Sequence, residues 1–356
     1  MDTNEVIVLS DDPQAAAAVA DLVYVDCEGP GFVRKRWGRG FTYLDEAGDH
    51  IQDEALRERF EELTIPPAWS DVWICPDERG HVQVTGRDAK GRKQYIYHPR
   101  WEEVRSQTKF NRMILFAQAL PALREQIDSH LRKHGTPRER VLAAVIRLLQ
   151  ESLIRIGNPE YAQANESYGL TTLKDEHLEL AGSRLHFEFT GKSGKEQKVD
   201  VRDPRVARVV RQLQELPGQE LFQYVDETGE RRRVGSGDVN VYIREATGRN
   251  FTAKDFRTWG GTVHAVNTLR EFGPPADEKD VGEKRTALFK EVAEKLGNTP
   301  AICRDYYVHP AVVAAYEEGS FFDLLQDAEE MAGSEWLEKD EQATLLILQH
   351  SLAGSG

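Results

Sequence analysis

Cysteine is scarce in this chain: Cys27, Cys75 and Cys303 are the only three in 356 residues. They are too few and too scattered for a disulfide framework or a four-ligand zinc site, and they read as small buried apolar residues. Long apolar runs are also missing. With no run of about eighteen, no transmembrane helix is expected. The alanine-rich stretch at 13–25 follows acids where a signal peptide carries bases, and it has no cleavage context, so a cytoplasmic location is expected. No internal repeat or low-complexity segment interrupts the chain.

Positive charge is in short supply too, with 46 Lys and Arg against 60 Asp and Glu and a net charge of −14. Taken alone, that total disfavours a nucleic-acid partner. Its distribution reverses the argument. Residues 1–31 hold seven acids and no Lys or Arg, and residues 311–356 hold ten acids and one Lys. Without these ends, 43 acids face 45 bases, and residues 79–112 carry nine bases against three acids. The acidic ends read as solvated flanks, which leaves an anionic polymer open as substrate.

Residues 22–101 are rich in glycine, proline and aromatics, with short alternating runs: GFTYLD, VWICPD, HVQVTG and KQYIYH. This pattern predicts a small β-rich domain with turns at 77–80 and 86–91. From about residue 104 the apolar spacing becomes helical. A capping box at 136–139 with Pro137 at the first helical position opens a helix whose Leu142, Val145, Leu149 and Leu153 share a face. The expected fold class is therefore α+β, with a β-rich domain over 1–103, a mainly helical domain over 104–356 and a linker near 98–106. A β-hairpin interrupts the helical part: Leu185, Phe187 and Phe189 alternate before a turn at 191–194, and Val199 and Val201 alternate after it. Its tip carries Lys192 and Lys195. The Gly-Lys-Ser at 191–193 is not a phosphate loop, because His186 stands where that loop needs glycine. Thr252 and Asp255 mark a further helix start, with Lys254 and Arg257 in its first turns. Another helix ends near Gly297, Thr299-Pro300 starts a short one, and His309-Pro310 ends that short segment.

Four residues need a common explanation: Arg155 in LIRIGNPEYAQANESYGLTTL, Lys192 at the hairpin tip, Arg257 in AKDFRTWGG, and one of the two adjacent tyrosines in LGNTPAICRDYYVHP. Each alone reads as a surface cation, a turn residue, a helix-cap cation or a packed aromatic. Arg155 fits that reading least, because a cation after an apolar run usually has an anion to meet. His130 and His134 have the i, i+4 spacing of a zinc pair, but neither an H-E-x-x-H glutamate nor a third ligand accompanies them.

Together with VRKRWGRGFTYLD and IPPAWSDVWICPDERGHVQVTGRDAKGRKQYIYHPRW, these motifs make the sequence resemble the poxvirus-like and bacterial type IB DNA topoisomerases. The resemblance implies a clamp around double-stranded DNA, relaxation of supercoils through a covalent 3′-phosphotyrosyl intermediate, and no requirement for ATP, metal or other cofactor. It assigns catalysis to Arg155, Lys192, Arg257 and Tyr307, with Asn298 nine residues before Tyr307 where poxviral members carry histidine. Asparagine can donate a hydrogen bond to phosphate but adds no charge. Tyr306 would be the packing neighbour of Tyr307, and Lys254 an accessory proton donor. Arg87, Lys90, Arg92, Lys93, Gln94, Tyr95 and Tyr97 would contact DNA through the major groove. A monomer is expected.

These groups suit the chemistry. A phenol conserves the phosphodiester energy, because the DNA 5′-hydroxyl can attack its ester again. Only about one tyrosine in a thousand is ionised at pH 7, and no histidine or carboxylate stands out as its base. Arginines would stabilise the non-bridging oxygens, and a lysine would protonate the departing 5′-oxygen. A tyrosine recombinase uses nearly the same residues, but recombinases usually carry a helical N-terminal domain. A DNA-binding structural protein with an inactive site is a third reading, disfavoured by the intact set of four.

Overall fold

A computed structural model describes residues 13–331, 333 and 335–353. Residues 1–12, with four of the N-terminal acids, lie outside that range. The chain divides into two compact units, 1–112 and 113–356.

In the first unit, strands β1 (Phe32–Trp37), β2 (Gly40–Leu44), β3 (Ser70–Ile74), β4 (Val82–Arg87) and β5 (Lys93–Tyr97) form an antiparallel sheet in the order β2-β1-β3-β4-β5. β2 to β5 coincide with the four alternating runs of the sequence, since period-2 patterning puts one set of side chains on one face, while β1 lies outside those runs. That face packs on the helix Glu54–Glu62 through Phe60, with Ile65, Val72, Ile74 and Val84 completing the core. Arg34 lies in this interior without a carboxylate among the described residues and donates to the carbonyl oxygens of Ile65, Pro66 and Trp69 at 2.8, 2.9 and 3.1 Å. Of the three cysteines, Cys75 and Cys303 are buried as expected, while Cys27 is only half-buried.

Two expectations fail at the helical boundary. The linker expected over 98–106 is instead the start of a helix, Pro99–Leu131. Proline without an N–H and with φ preset suits a first helical turn as well as a break. The helix expected from Thr136 begins at Arg138, with Pro137 as its N-cap and no side-chain cap bond.

In the second unit that helix, Arg138–Ser152, is the central element. Val141, Leu142, Ala143, Ala144, Val145 and Ile146 are all fully buried. It touches the helices Pro204–Gln214, Ser236–Thr247 and Ala253–Phe272 and the strand Glu196–Arg202, which is why burial exceeds the single face that spacing suggests. The predicted hairpin is Arg184–Thr190 paired with Glu196–Arg202, and Leu178–Ala181 adds a third antiparallel strand.

The C-terminal acidic segment is not a solvated flank. Its helices Pro310–Glu318, Phe321–Glu330 and Lys339–Ala353 bury Val312, Tyr316, Phe321, Ile347 and Leu348. Glu341 is 7% exposed and accepts both terminal nitrogens of Arg124, at 2.6 and 2.7 Å, and Nε1 of Trp259 at 3.0 Å. Charge counting sees ten acids here. Their periodicity with apolar residues decides which face is wet.

Candidate active site

Arg155 follows the C-terminus of the central helix, which Leu153 ends in the left-handed region at φ +55°. The next turns are locked by backbone pairing across a close approach. Leu170 N donates to Arg155 O at 2.8 Å and Thr171 N to Ile156 O at 2.7 Å. Gly157 has φ +98°, and a Cβ on Gly169 would stand 2.6 Å from Gly157 N, so both positions need glycine. Tyr168 N donates to Thr190 O at 2.8 Å, at the end of the strand that leads into Gly191 and Lys192. The segment from Tyr168 to Thr171 thus ties the Arg155 turn to the hairpin tip.

Arg257 lies in the second turn of Ala253–Phe272, whose N-cap Thr252 donates its backbone N–H to Asp255 Oδ2 at 2.8 Å. The following Gly260 and Gly261 let this helix come close. A Cβ on Gly260 would meet Leu153 Cδ2 at 2.5 Å, and one on Gly261 would meet Tyr307 O at 3.1 Å. Arg257 is 6% exposed and donates to Leu153 O and, at 2.8 Å, to Leu296 O. These carbonyls end two helices, Arg138–Ser152 and Glu278–Leu296. The guanidinium therefore sits on the negative ends of two helix dipoles.

Tyr307 caps the short helix Pro300–Tyr306 and is half-buried. Its ring centroid lies 5.4 Å from Cζ of Arg257. Tyr306, expected to be its packing neighbour, is 55% exposed. One residue in a helix's last turn rotates the side chain by about 100°, enough to separate the two. His309-Pro310 opens the next helix, Pro310–Glu318, with His309 Nδ1 accepting from Ala311 N at 3.1 Å.

Arg155 donates to Asn298 Oδ1 at 2.6 Å and to Gly297 O at 3.3 Å. Arginine has no acceptor, so this bond fixes the amide with Oδ1 inward, and Asn298 Nδ2 is left buried without an acceptor. Nε of Arg257 is likewise buried and without one. The anion expected beside Arg155 is absent among the described residues. Burial holds the Arg155 guanidinium below its ordinary pKa. The same happens at Arg257 through burial first and the like charge of Arg155 second, with Tyr307 opposing. Burial also pushes the thiol of Cys303 up to about 11, so no thiolate neutralises the pair.

Lys192 is exposed and lines a small recess together with Arg155, Arg257, Tyr168 and Gln197. Lys195, its neighbour on the hairpin, donates to Asn298 O at 3.1 Å. Lys254 is exposed on the Arg257 helix and does not line that recess. His130 is engaged with Tyr242, Nδ1 to Oη at 2.7 Å. A cavity of about 690 Å³ bordered by Arg285, Phe289, Arg304 and Val313 contains none of the four candidates.

Gln197 and Thr262 did not stand out in the sequence. A Cβ on Gly191 would meet Gln197 Cγ at 2.9 Å, and one on Gly297 would meet Gln197 Oε1 at 3.0 Å, so this glutamine fills the space between hairpin and Asn298 turn. The contact with Gly297 joins residues far apart in sequence, and only the Gly-rich motif there hints at it.

In the first unit the basic hairpin is divided by strand alternation. Lys93, Tyr95 and Tyr97 share one face of β5, with Tyr95 and Tyr97 stacked at 5.8 Å, while Gln94 lies on the other face and reaches Asp88 Oδ2 at 3.0 Å. Arg92 pairs with Asp88 at 2.7 Å, Arg87 with Asp71 at 3.6 Å, and Lys93 with Glu28. Lys90 is exposed at the tip.

Arg257, buried, and Arg155, half-buried, lie beside Tyr307 without a carboxylate partner among the described residues, an arrangement suited to holding a phosphate. Residues 98–329 match the profile of the eukaryotic DNA topoisomerase I catalytic core, and residues 40–88 match the bacterial DNA topoisomerase IB N-terminal domain. A protein named DNA topoisomerase 1B from Acanthamoeba polyphaga mimivirus is 30% identical over 302 residues, covering 82% of this chain and 89% of that one. The DNA topoisomerase 1B of vaccinia virus (strain Copenhagen) is 23% identical over 298 residues, covering 81% and 90%. The chain belongs to the type IB DNA topoisomerase family. Both matched profiles are topoisomerase profiles, and the sheet of the first unit is unlike a recombinase's helical domain, so the recombinase reading is set aside.

Proposed function

We propose that this protein relaxes supercoiled DNA by cutting and resealing one strand, with Tyr307 as nucleophile and no need for ATP or metal. The observation that carries the reading is the pairing of Arg155 and Arg257 around Tyr307 with only neutral partners. A buried cation normally meets an anion. Here the missing one is the scissile phosphate.

In the proposed reaction the Tyr307 phenolic oxygen attacks phosphorus and loses its proton to water. The bond to the 5′-oxygen breaks, leaving a 3′-phosphotyrosine, and the departing 5′-oxygen takes a proton from Lys192. Arg155 and Arg257 hold the non-bridging oxygens, where charge increases. Asn298 Nδ2, its Oδ1 occupied by Arg155, donates a further hydrogen bond to one of them. Rotation about the intact strand releases supercoils. Attack by the 5′-hydroxyl then reverses each step, the proton returning to Lys192, so the bond energy is conserved. The two units act as a clamp on duplex DNA, with β5 directed at the major groove. The protein is expected to act as a monomer in the cytoplasm, on the nucleoid.

The test is incubation with positively or negatively supercoiled plasmid in EDTA without ATP, followed by detergent. Relaxation of both, with a trapped protein–DNA adduct, is expected. An absolute requirement for ATP or a divalent cation overturns the reading.

A further inference from the structure

The cations of the β4–β5 hairpin are largely occupied: Arg87, Arg92 and Lys93 each face a carboxylate. The β1–β2 hairpin differs. Lys35, Arg36 and Arg39 are exposed, and among the described residues none has a carboxylate within salt-bridge distance. Between them Trp37 is 66% exposed, with one edge of its ring against His50 at a centroid distance of 5.2 Å. A surface tryptophan among unpaired cations costs solvation without returning packing, and such composition is typical of a surface that meets another molecule.

Register shows where this hairpin points. Val33 pairs with Trp73, Trp73 with Thr85, and Thr85 with Tyr95. Directly opposed residues share a face, so Lys35 and Trp37, two and four residues on from Val33, lie on the face that carries Lys93 and Tyr95. That face is opposite the one packed on the helix Glu54–Glu62. Both β1 and β4 run antiparallel to β3, so the tips after Trp37 and after Arg87 are at the same end of the sheet. The turns carrying Asp45, Glu46 and Asp49, and Asp77 and Glu78, are at the other end. The charge of this unit is therefore polarised. Three ladder spacings separate β1 from β5, about 14 Å, close to the roughly 12 Å width of a B-form major groove.

We propose that Lys35, Trp37 and Arg39 form a second DNA-contacting element of the first unit, whereas Arg36 alternates onto the opposite face with Arg34. Lys35 and Arg39 contact duplex phosphates beside the groove that β5 addresses, and Trp37 makes an apolar contact with the sugar or base edge. This rests on duplex DNA being the substrate.

The experiment uses the full chain carrying Tyr307→Phe, so that binding is read without cleavage, on a duplex of about 30 base pairs over a salt series. Each phosphate contact contributes about 0.9 to the slope of log affinity against log salt. The double variant Lys35→Ala, Arg39→Ala should lower that slope by between one and two units, whereas Arg36→Ala, on the opposite face, should change it by far less than one. Trp37→Ala should weaken binding about tenfold with the slope unchanged, since an apolar contact releases no counterion. Lys279→Ala, an exposed cation in the second unit, controls for net charge and should change the slope by far less than one unit. Unfolding curves should match the parent, because all the substituted side chains are exposed. A double variant with the parent's slope and affinity, or one whose loss per charge equals that of Lys279→Ala, overturns the proposal while plasmid relaxation by the unaltered enzyme keeps the proposed function standing. If the parent chain fails to bind duplex DNA at all, it is the function reading that falls.

Discussion

The hydroxyl of Thr262 joins the Arg257 helix to the backbone of Tyr307. Its Oγ1 stands 3.1 Å from Tyr307 O, 3.0 Å from Thr258 O and 3.1 Å from His309 N, and the residue is fully buried. One hydroxyl has a single proton to donate, shared between two carbonyls, while its lone pair accepts from the His309 amide.

Replacing Thr262 by valine keeps the shape and removes this tie. The buried His309 amide loses its acceptor, which costs about 1–3 kcal/mol. Small displacements of a nucleophile cost rate steeply, so single-turnover formation of the covalent adduct should slow by about 10- to 100-fold. Thr262→Ser should restore most of it. A valine variant with parental cleavage and reduced stability would reduce Thr262 to a packing residue.

Tyr307→Phe should abolish the covalent adduct, whereas Tyr306→Phe should leave it close to the parent's level. Only Tyr307 faces the Arg257 guanidinium, and Tyr306 is directed to solvent. An adduct formed by the Tyr307→Phe protein would show that the wrong phenol has been chosen.

Lys192 can be separated from the arginines with a substrate whose bridging 5′-oxygen is sulfur. Lys192→Ala should slow cleavage of ordinary DNA by about two to four powers of ten. A thiolate leaves without a proton, so the same variant should cut the sulfur substrate almost as fast as the parent. Arg155→Ala and Arg257→Ala act on the non-bridging oxygens and should stay slow on both. Equal impairment of Lys192→Ala on both substrates would transfer the acid role to Lys254 or to Lys195, whose Nζ lies 3.1 Å from Asn298 O.

Glu341 makes stability depend on pH. Burial alone would raise its pKa, but the bonds from Arg124 and Trp259 outweigh that and hold it below the ordinary value. A depressed folded-state pKa contributes stability that is complete above about 4.3, the unfolded value, and is lost as pH falls through the folded one. The Tm of the parent should therefore drop more steeply below about pH 4 than that of Glu341→Gln. At neutral pH, Glu341→Ala leaves Arg124 unpaired in the interior and should cost about 3 kcal/mol in denaturant unfolding. Identical acid limbs in parent and Glu341→Gln would remove this carboxylate from the linkage.

The sequence by itself determined four strands of the first unit, the hairpin of the second and the chemistry-bearing motifs, but not Phe32–Trp37, Leu178–Ala181 or the pair Gln223–Val225 and Arg231–Arg233. Alternation in KQYIYH and in Leu185, Phe187 and Phe189 is a local property that backbone geometry enforces, and so is the cap at Thr252. The glycines of RIGN, YGL and TWGG were legible as motif residues, though not as the close approaches that seat Arg155, Arg257 and Tyr307. Only the tertiary structure decided that Arg155 meets Asn298, that Arg257 rests on the ends of two helices, and that Thr262 holds Tyr307. It also decided that Glu341 is buried instead of solvated, and that Lys35, Arg36 and Arg39 face no carboxylate among the described residues. Each of these depends on partners brought together by packing. No periodicity of 2 or 3.6 residues encodes which distant carbonyl a guanidinium will reach, or which charge a neighbouring strand will neutralise.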